Sequence, residues 1–207
     1  MPRFGKGRRY GSKIQQNGFA KLFLTIFGNL DITSSHHHFI RATKYVKNKQ
    51  DFRNVLDAGS GNGNYAFWVA ETYPEAHIDA CDCSEEAINS SKVVQGKLGL
   101  NNIRYIMEDL RNFRNEQAYD YIYSNHVLEH IPEHHLVLEN LVFSLKPGGY
   151  IYTQMPDADQ KRMEWGEKYI EEHKKWADKE HIGMTMNLEM LCERLRKIGR
   201  ASCRERG

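Results

Sequence analysis

The apolar positions after residue 53 fall into short runs separated by longer segments of helical period. Five runs predict β-strands: NVLDA, HIDAC, IRYIM, YDYIYS and YIYTQM. The segments between them predict helices: NYAFWVAETY, SEEAINSSKVVQGKLG with Ser84 as N-cap, and PEHHLVLENLVFSL, which a Pro-Gly-Gly turn follows. Strands alternating with helices specify a parallel sheet covered by helices on both faces, so we predict a Rossmann-like α/β fold. Ligands of such sheets bind at the carboxyl ends of the strands.

Segments outside this core are also patterned. GFAKLFLTIFGNLDI and HHHFIRATKYVKNKQ predict two helical stretches before the first strand, residues 157–181 predict a charged helix, and NLEMLCERLRKIG predicts an amphipathic helix. The first 13 residues carry basic side chains and no acid. We expect a solvated basic arm there, with contact to RNA or anionic lipid as the alternative.

Composition narrows the class of protein. The 207 residues fit one domain. The 29 basic and 27 acidic residues nearly balance, which excludes nucleic-acid binding driven by the overall charge of the protein. The apolar stretches are too short or too interrupted to predict a membrane span. Four cysteines without zinc-site or disulfide-framework spacing predict reduced thiols and a cytoplasmic protein.

A glycine-rich loop follows the first predicted strand. Gly59, Gly61 and Gly63 give G-x-G-x-G, whereas a pyrophosphate-binding loop has G-x-G-x-x-G. Asp57 stands just before the loop, where its carboxylate would repel a pyrophosphate and attract an ammonium group. S-adenosylmethionine has no phosphate but carries an α-ammonium, a carboxylate and a sulfonium, so it suits this loop.

Two more aspartates end the next two predicted strands. Asp82 stands at the spacing from the loop at which an acidic side chain meets ribose hydroxyls, and Asp109 can accept a hydrogen bond from an exocyclic amine such as that of adenine. A single aspartate at such a position is most often a helix cap or a loop residue. Three of them in line with a glycine loop predict a nucleoside-containing cofactor.

Five motifs together resemble those of the class I S-adenosylmethionine-dependent methyltransferases over roughly residues 54–156: VLDAGSGNGN, IDACDCSEEAI, IMEDLRNF, YDYIYSNHVLEHIP and LKPGGYIYTQMP. The resemblance implies S-adenosyl-L-methionine as cofactor. By this resemblance, the methionine part of the cofactor would be surrounded by Asp57, Gly59, Ser60, Gly61 and Gly63. Asp82 and Cys83 would flank the ribose and adenine, and Asp109 with Leu110 would edge the adenine. Asn125 would lie near both cofactor and substrate.

Candidate catalytic residues follow the fourth predicted strand. Methyl transfer to a hydroxyl benefits from a base near neutral pH, and histidine is the natural one. His126 and His130 are four residues apart, so they share a face if the segment is helical. His126 is the preferred base; His130 is also explained as a partly buried structural histidine.

A metal site is not predicted. Some quinone-type relatives have E-x-x-E-H here and bind a divalent metal, but this chain has His126 in place of the first glutamate. The consecutive histidines 36–38 point in different directions on a helix, so we expect adventitious surface histidines.

A missing sequence motif narrows the range of methyl acceptors. The Asn/Asp-Pro-Pro-aromatic signature of many nucleobase and amide N-methyltransferases is missing after YDYIYS, which favours methyl transfer to a hydroxyl oxygen of a small molecule. Two alternatives remain: an RNA methyltransferase guided by the basic arm, and a non-catalytic cofactor-binding fragment.

The end of the chain departs from the family pattern, because the last two strands of the family sheet have no counterpart. The final IGRASCRERG resembles a translated sequencing adapter. We therefore expect a basic arm and helical cap (residues 1–50), an incomplete methyltransferase domain (51–197) and a non-biological tail (198–207).

Overall fold

A computed structural model describes residues 30–155 and 187–198. The basic arm, the charged stretch 157–181 and residues 199–207 lie outside the described residues. Within them are five helices: α1 Leu30–Lys47, α2 Asn64–Thr72, α3 Glu85–Leu98, α4 His134–Ser144 and α5 Leu188–Lys197. Five strands accompany them: β1 Asn54–Ala58, β2 His77–Asp82, β3 Ile103–Met107, β4 Tyr119–Asn125 and β5 Leu145–Gln154.

The strands form one sheet in the order β3-β2-β1-β4-β5, and every neighbouring pair is parallel. This confirms the predicted α/β fold. Alternate residues of the central strands enter different cores, because successive side chains of a strand point to opposite faces. Val55 and Tyr121 pack with residues of α1 and α2, whereas Leu56 and Ile122 pack with residues of α4 and α5. Helices therefore cover both faces.

The amino ends of three strands are joined by Asp120, which is 8% exposed. Its carboxylate accepts hydrogen bonds from the backbone N–H groups of Arg53 and Asn54 at 3.2 and 2.8 Å. It also accepts one from Lys146 Nζ at 2.8 Å. Hydrogen bonds to a charged group are stronger than neutral ones, so this contact helps to fix the register of β1, β4 and β5.

The predicted Pro-Gly-Gly turn is inside β5 rather than before it. Tyr119 pairs with Leu145, but Tyr121 pairs with Tyr150, so β5 advances by five residues while β4 advances by two. Gly148 has φ +80° at this irregularity, a conformation that favours glycine. The predicted turn is therefore wrong: the chain accommodates Pro147, Gly148 and Gly149 as a bulge in a longer strand.

Helix α1 corrects the prediction for the three histidines. His37 and His38 are exposed, as expected, but His36 is 5% exposed and its ring lies 5.0 Å from that of Tyr65. The prediction of surface histidines is therefore wrong for His36, because α1 packs this side against the start of α2.

The predicted amphipathic helix is confirmed as α5, capped by the Asn187 side chain, which accepts a hydrogen bond from the Met190 N–H at 3.0 Å. Cys192 on this helix is disulfide-bonded, so the prediction of reduced thiols is wrong for it. Cys81 and Cys83 are free thiols. Among the helices described, none has the length and apolar character needed to cross a bilayer.

Candidate functional site

The register of the sheet brings the carboxyl ends of the strands to one edge. Ala58 pairs with Cys81, and Asn125 pairs with Gln154. Asp82 pairs with Met107, two residues before Asp109. The candidate residues predicted from separate motifs therefore lie around the ends of adjacent strands.

The glycine loop is held against β2. The backbone N–H groups of Gly59 and Ser60 both donate to the Cys81 carbonyl at 2.9 Å. Gly63 precedes α2 with φ +74°, and Gly61 has φ +49°. A Cβ placed on Gly61 would meet nothing within 4 Å, so the backbone there borders open space. This is the point of the loop at which a ligand can approach the main chain.

Gly59 is required for a different reason. A Cβ at this position would lie 2.4 Å from Val127 Cγ2, and φ is +83°. The glycine loop thus packs directly against the turn that follows β4. Glycine here permits both the left-handed backbone and the close approach of the two segments.

We expect Gly59→Ala to destabilise the protein by about 3 kcal/mol, because the new methyl group overpacks against Val127 and the backbone is strained. Urea unfolding measures the loss. Gly99→Ala is the matched control: φ is +68° there, but a Cβ would meet nothing within 4 Å. It should cost only about 1 kcal/mol. Equal losses in the two variants would contradict the role of the Val127 contact.

Asp82 anchors the loop, a role that the sequence did not predict. One carboxylate oxygen accepts the Gly61 N–H at 2.7 Å, and the other accepts the Ser84 N–H at 2.9 Å. Ser84 in turn caps α3 as predicted, since its hydroxyl accepts the Ala87 N–H at 3.2 Å. Cys83, beside Asp82, is exposed. The two donors fix the carboxylate of Asp82 next to the open side of the loop.

Asp57 lies in β1 with its side chain 2% exposed. The pKa of Asp57 is raised to about 8: burial is the main cause and the Asp82 charge adds to it, while the Tyr123 hydroxyl and the Ala66 N–H oppose the rise. Oδ2 of Asp57 has no hydrogen-bond partner within the described residues. A buried carboxyl group with an unpartnered oxygen is costly, so a ligand with a positive group could compensate it.

Further polar atoms around the loop also lack partners in the part of the chain that the structure describes. They are the Ser60 hydroxyl, Oδ1 of Asn64, and both amide atoms of Asn125. Buried polar groups are normally hydrogen-bonded, so the set suits a ligand with several donors and acceptors. An aminoacyl nucleoside such as S-adenosylmethionine fits this requirement.

Asp109 is already engaged by a neighbour. Its carboxylate forms a two-pronged ion pair with Arg111, whose hydrogen bonds lower the pKa of Asp109. Arg111 also reaches Glu133 at 3.0 Å. The Leu110 side chain is 5% exposed and packs in the core beside this ion pair. The predicted adenine contact of Asp109 would have to share the carboxylate with Arg111.

The turn after β4 does not meet the condition under which the two candidate histidines would share a helical face. His126 has φ +55°, and only Leu128–His130 forms a short 3-10 helix, so His126 and His130 do not share a helical face. His130 is exposed, not partly buried. His126 is half exposed, and its Nδ1 lies 3.1 Å from Oε1 of Glu129, which is 1% exposed. Sequence reasoning missed Glu129, although its position three residues after His126 was the available signal.

The described residues contain no group of three or more His, Cys, Asp or Glu side chains that could hold a metal ion.

Known proteins resemble the chain in sequence. A methyltransferase domain family matches residues 49–195. The trans-aconitate 2-methyltransferase of Enterobacter sp. (strain 638) is 34% identical over 107 residues, which are 52% of this chain and 40% of the relative. The chain thus spans less than half the length of the curated relatives that it matches.

Solved structures share the fold. The YcgJ protein of Bacillus subtilis has a TM-score of 0.62 at 16% identity, covering 79% of this chain and 68% of that one. Phosphoethanolamine N-methyltransferase 2 of Haemonchus contortus, in complex with S-adenosyl-L-methionine, has a TM-score of 0.58 at 22% identity, covering 72% and 33%. With the family match over most of its length, the chain belongs to the class I S-adenosylmethionine-dependent methyltransferases.

Proposed function

We propose that the protein transfers a methyl group from S-adenosylmethionine to an oxygen atom of a small molecule, most simply a hydroxyl oxygen. The observation that carries the proposal is the buried carboxyl group of Asp57 beside the glycine loop, whose Oδ2 has no hydrogen-bond partner within the described residues. An α-ammonium group supplies the missing positive partner, and the cofactor of this family has one.

The proposed cofactor contacts follow the strand ends. Asp57 with the loop residues (Gly59, Ser60, Gly61, Gly63) would hold the methionine part. Asp82 and Cys83 would meet the ribose and adenine, and Asp109 with Leu110 would edge the adenine. Asn125, whose amide atoms have no partner among the described residues, would lie between cofactor and acceptor.

The bound cofactor supplies a methyl carbon activated by a sulfonium; the new oxygen–carbon bond forms as the carbon–sulfur bond breaks and its electron pair stays on sulfur. The protein aligns the acceptor and excludes water. A hydroxyl acceptor must lose its proton, and His126 can accept it, because residue 126 directly follows the end of β4 and the His126 ring is half exposed. The resulting imidazolium then returns the proton to water. His130, four residues further along in the short 3-10 helix, is the second candidate for this role.

A carboxylate oxygen is the second candidate acceptor. The relatives named trans-aconitate 2-methyltransferases favour it, because their name places the methyl group on a tricarboxylic acid. A carboxylate is already deprotonated, so its methylation needs no base. The two candidates therefore differ in whether His126 takes part in the chemistry.

We expect the purified protein to transfer a labelled methyl group from S-adenosylmethionine to a component of a metabolite extract. Mild alkali distinguishes the products, because methyl esters hydrolyse and methyl ethers do not. An alkali-stable product made by wild type, and made at least about 10-fold more slowly by His126→Ala, supports the hydroxyl acceptor. An alkali-labile product favours the carboxylate acceptor. Cofactor binding without transfer to any component would contradict the proposal.

A further inference from the structure

The contact between His126 and Glu129 has the form of a hydrogen-bonded pair in which a carboxylate orients an imidazole. We propose that Glu129 is a positioning residue that holds the His126 ring with its proton on Nδ1 and leaves Nε2 free to accept a proton. The inference rests on the proposed function only for what Nε2 does. The pairing itself depends on the geometry of the turn after β4.

The hydrogen bond selects the tautomer. Nδ1 of His126 lies 3.1 Å from Oε1 of Glu129. An ionised carboxylate can only accept hydrogen bonds, so Nδ1 must carry the proton that it donates. In a neutral ring Nε2 then holds the lone pair, which is the arrangement that a general base requires.

Burial gives the contact its strength. Glu129 is 1% exposed, whereas the His126 side chain is 46% exposed. The pair therefore runs from the core to the surface. Oε2 of Glu129 has no hydrogen-bond partner within the described part of the chain, so His126 is the polar group that the structure assigns to this carboxylate. When His126 takes a proton, the buried carboxylate stabilises the positive ring at close range.

The backbone holds residue 126 between the glycine loop and β5. The His126 N–H donates to the Gln154 carbonyl at 2.8 Å, and the next residue, Val127, packs against Gly59. His126 adopts φ +55°, a left-handed conformation that is strained for a residue other than glycine. Neighbouring contacts on both sides sustain this strained conformation, and it brings the ring back over the following turn to Glu129.

The tautomer of His126 tests the inference without any acceptor. Nitrogen chemical shifts of the ring, measured on the full chain at a pH at which the ring is neutral, should show a protonated Nδ1 and an unprotonated Nε2. In Glu129→Gln this preference should be lost, since an amide can donate as well as accept. Glu133→Gln, which alters an exposed glutamate paired with Arg111, is the control and should leave the shifts unchanged.

The outcomes separate this inference from the proposed function. A protonated Nε2 in the wild-type protein, or identical shifts in wild type and Glu129→Gln, would overturn it, and the wild-type measurement holds even if the variant does not fold. With an acceptor from the methyl-transfer screen, Glu129→Gln should lower kcat about 10- to 100-fold with little change in KM. If the tautomer is as expected but only a carboxylate is methylated, the pair stands and the hydroxyl proposal fails.

Discussion

Asp82→Ala is expected to weaken binding of S-adenosylmethionine by at least about 100-fold, because two roles are lost together. The carboxylate accepts the N–H groups of Gly61 and Ser84 and so fixes the loop. Its remaining acceptor capacity is the one proposed to bind the ribose hydroxyls. Each hydrogen bond to a charged group contributes about 1.5 to 3 kcal/mol, so the loss of two such bonds accounts for a 100-fold weaker affinity. Isothermal titration with S-adenosylhomocysteine measures it.

Asp79→Ala is the matched control for this prediction. Asp79 is on the same strand, but its carboxylate pairs with Arg104 and with the Tyr119 hydroxyl instead of the glycine loop. The control should retain wild-type affinity even if its stability falls slightly. An Asp82→Ala protein that is folded by circular dichroism and binds as tightly as wild type would remove Asp82 from the site.

The strands and their order of appearance could be predicted because burial on both faces imposes continuous apolar runs. YDYIYS is an example: Tyr121, Ile122 and Tyr123 are fully buried at the centre of the sheet. The glycine loop was also visible, since φ values above zero at Gly59, Gly61 and Gly63 demand the residue type that the sequence shows.

Contacts between distant segments could not be predicted. The bond from Gly61 to Asp82 spans 21 residues, and no local pattern encodes it. The burial of His36 depends on where α1 packs, and a helical period alone does not supply that. The sequence thus predicted which strand end each aspartate occupies, but not which donors each would meet.

The structure of the turn after β4 could not be predicted for another reason. His126 and His130 would share a face only in a helix, but His126 adopts a left-handed conformation that the sequence does not signal. Non-glycine residues adopt it rarely, and here the Gln154 carbonyl and the Gly59 approach maintain it. The strained residue is a candidate catalytic one, which is where local rules most often fail.

Asp57→Asn is expected to stabilise the ligand-free protein while it weakens cofactor binding. The pKa of Asp57 is raised by burial from 3.8 to about 8, so the folded protein retains a proton that the unfolded chain releases. The contribution of Asp57 to the free energy of unfolding is therefore fully present below about pH 4 and is lost as pH rises through about 8. Asparagine carries no charge to desolvate, so the variant should gain about 2 kcal/mol over wild type near pH 8, measured by urea unfolding.

The same carboxyl group should strengthen cofactor binding, although it lowers the stability of the ligand-free protein. Near neutral pH the carboxyl group is protonated in the free protein, and pairing with an ammonium group requires that it ionise. Binding of S-adenosylmethionine should therefore release close to one proton, seen as a dependence of the titration enthalpy on the buffer's ionisation enthalpy. Asp57→Asn should bind about 10- to 100-fold more weakly and release none. A stability difference that is flat between pH 5 and 8, or equal proton release by both proteins, would show that Asp57 does not carry the charge that the glycine loop presents to its ligand.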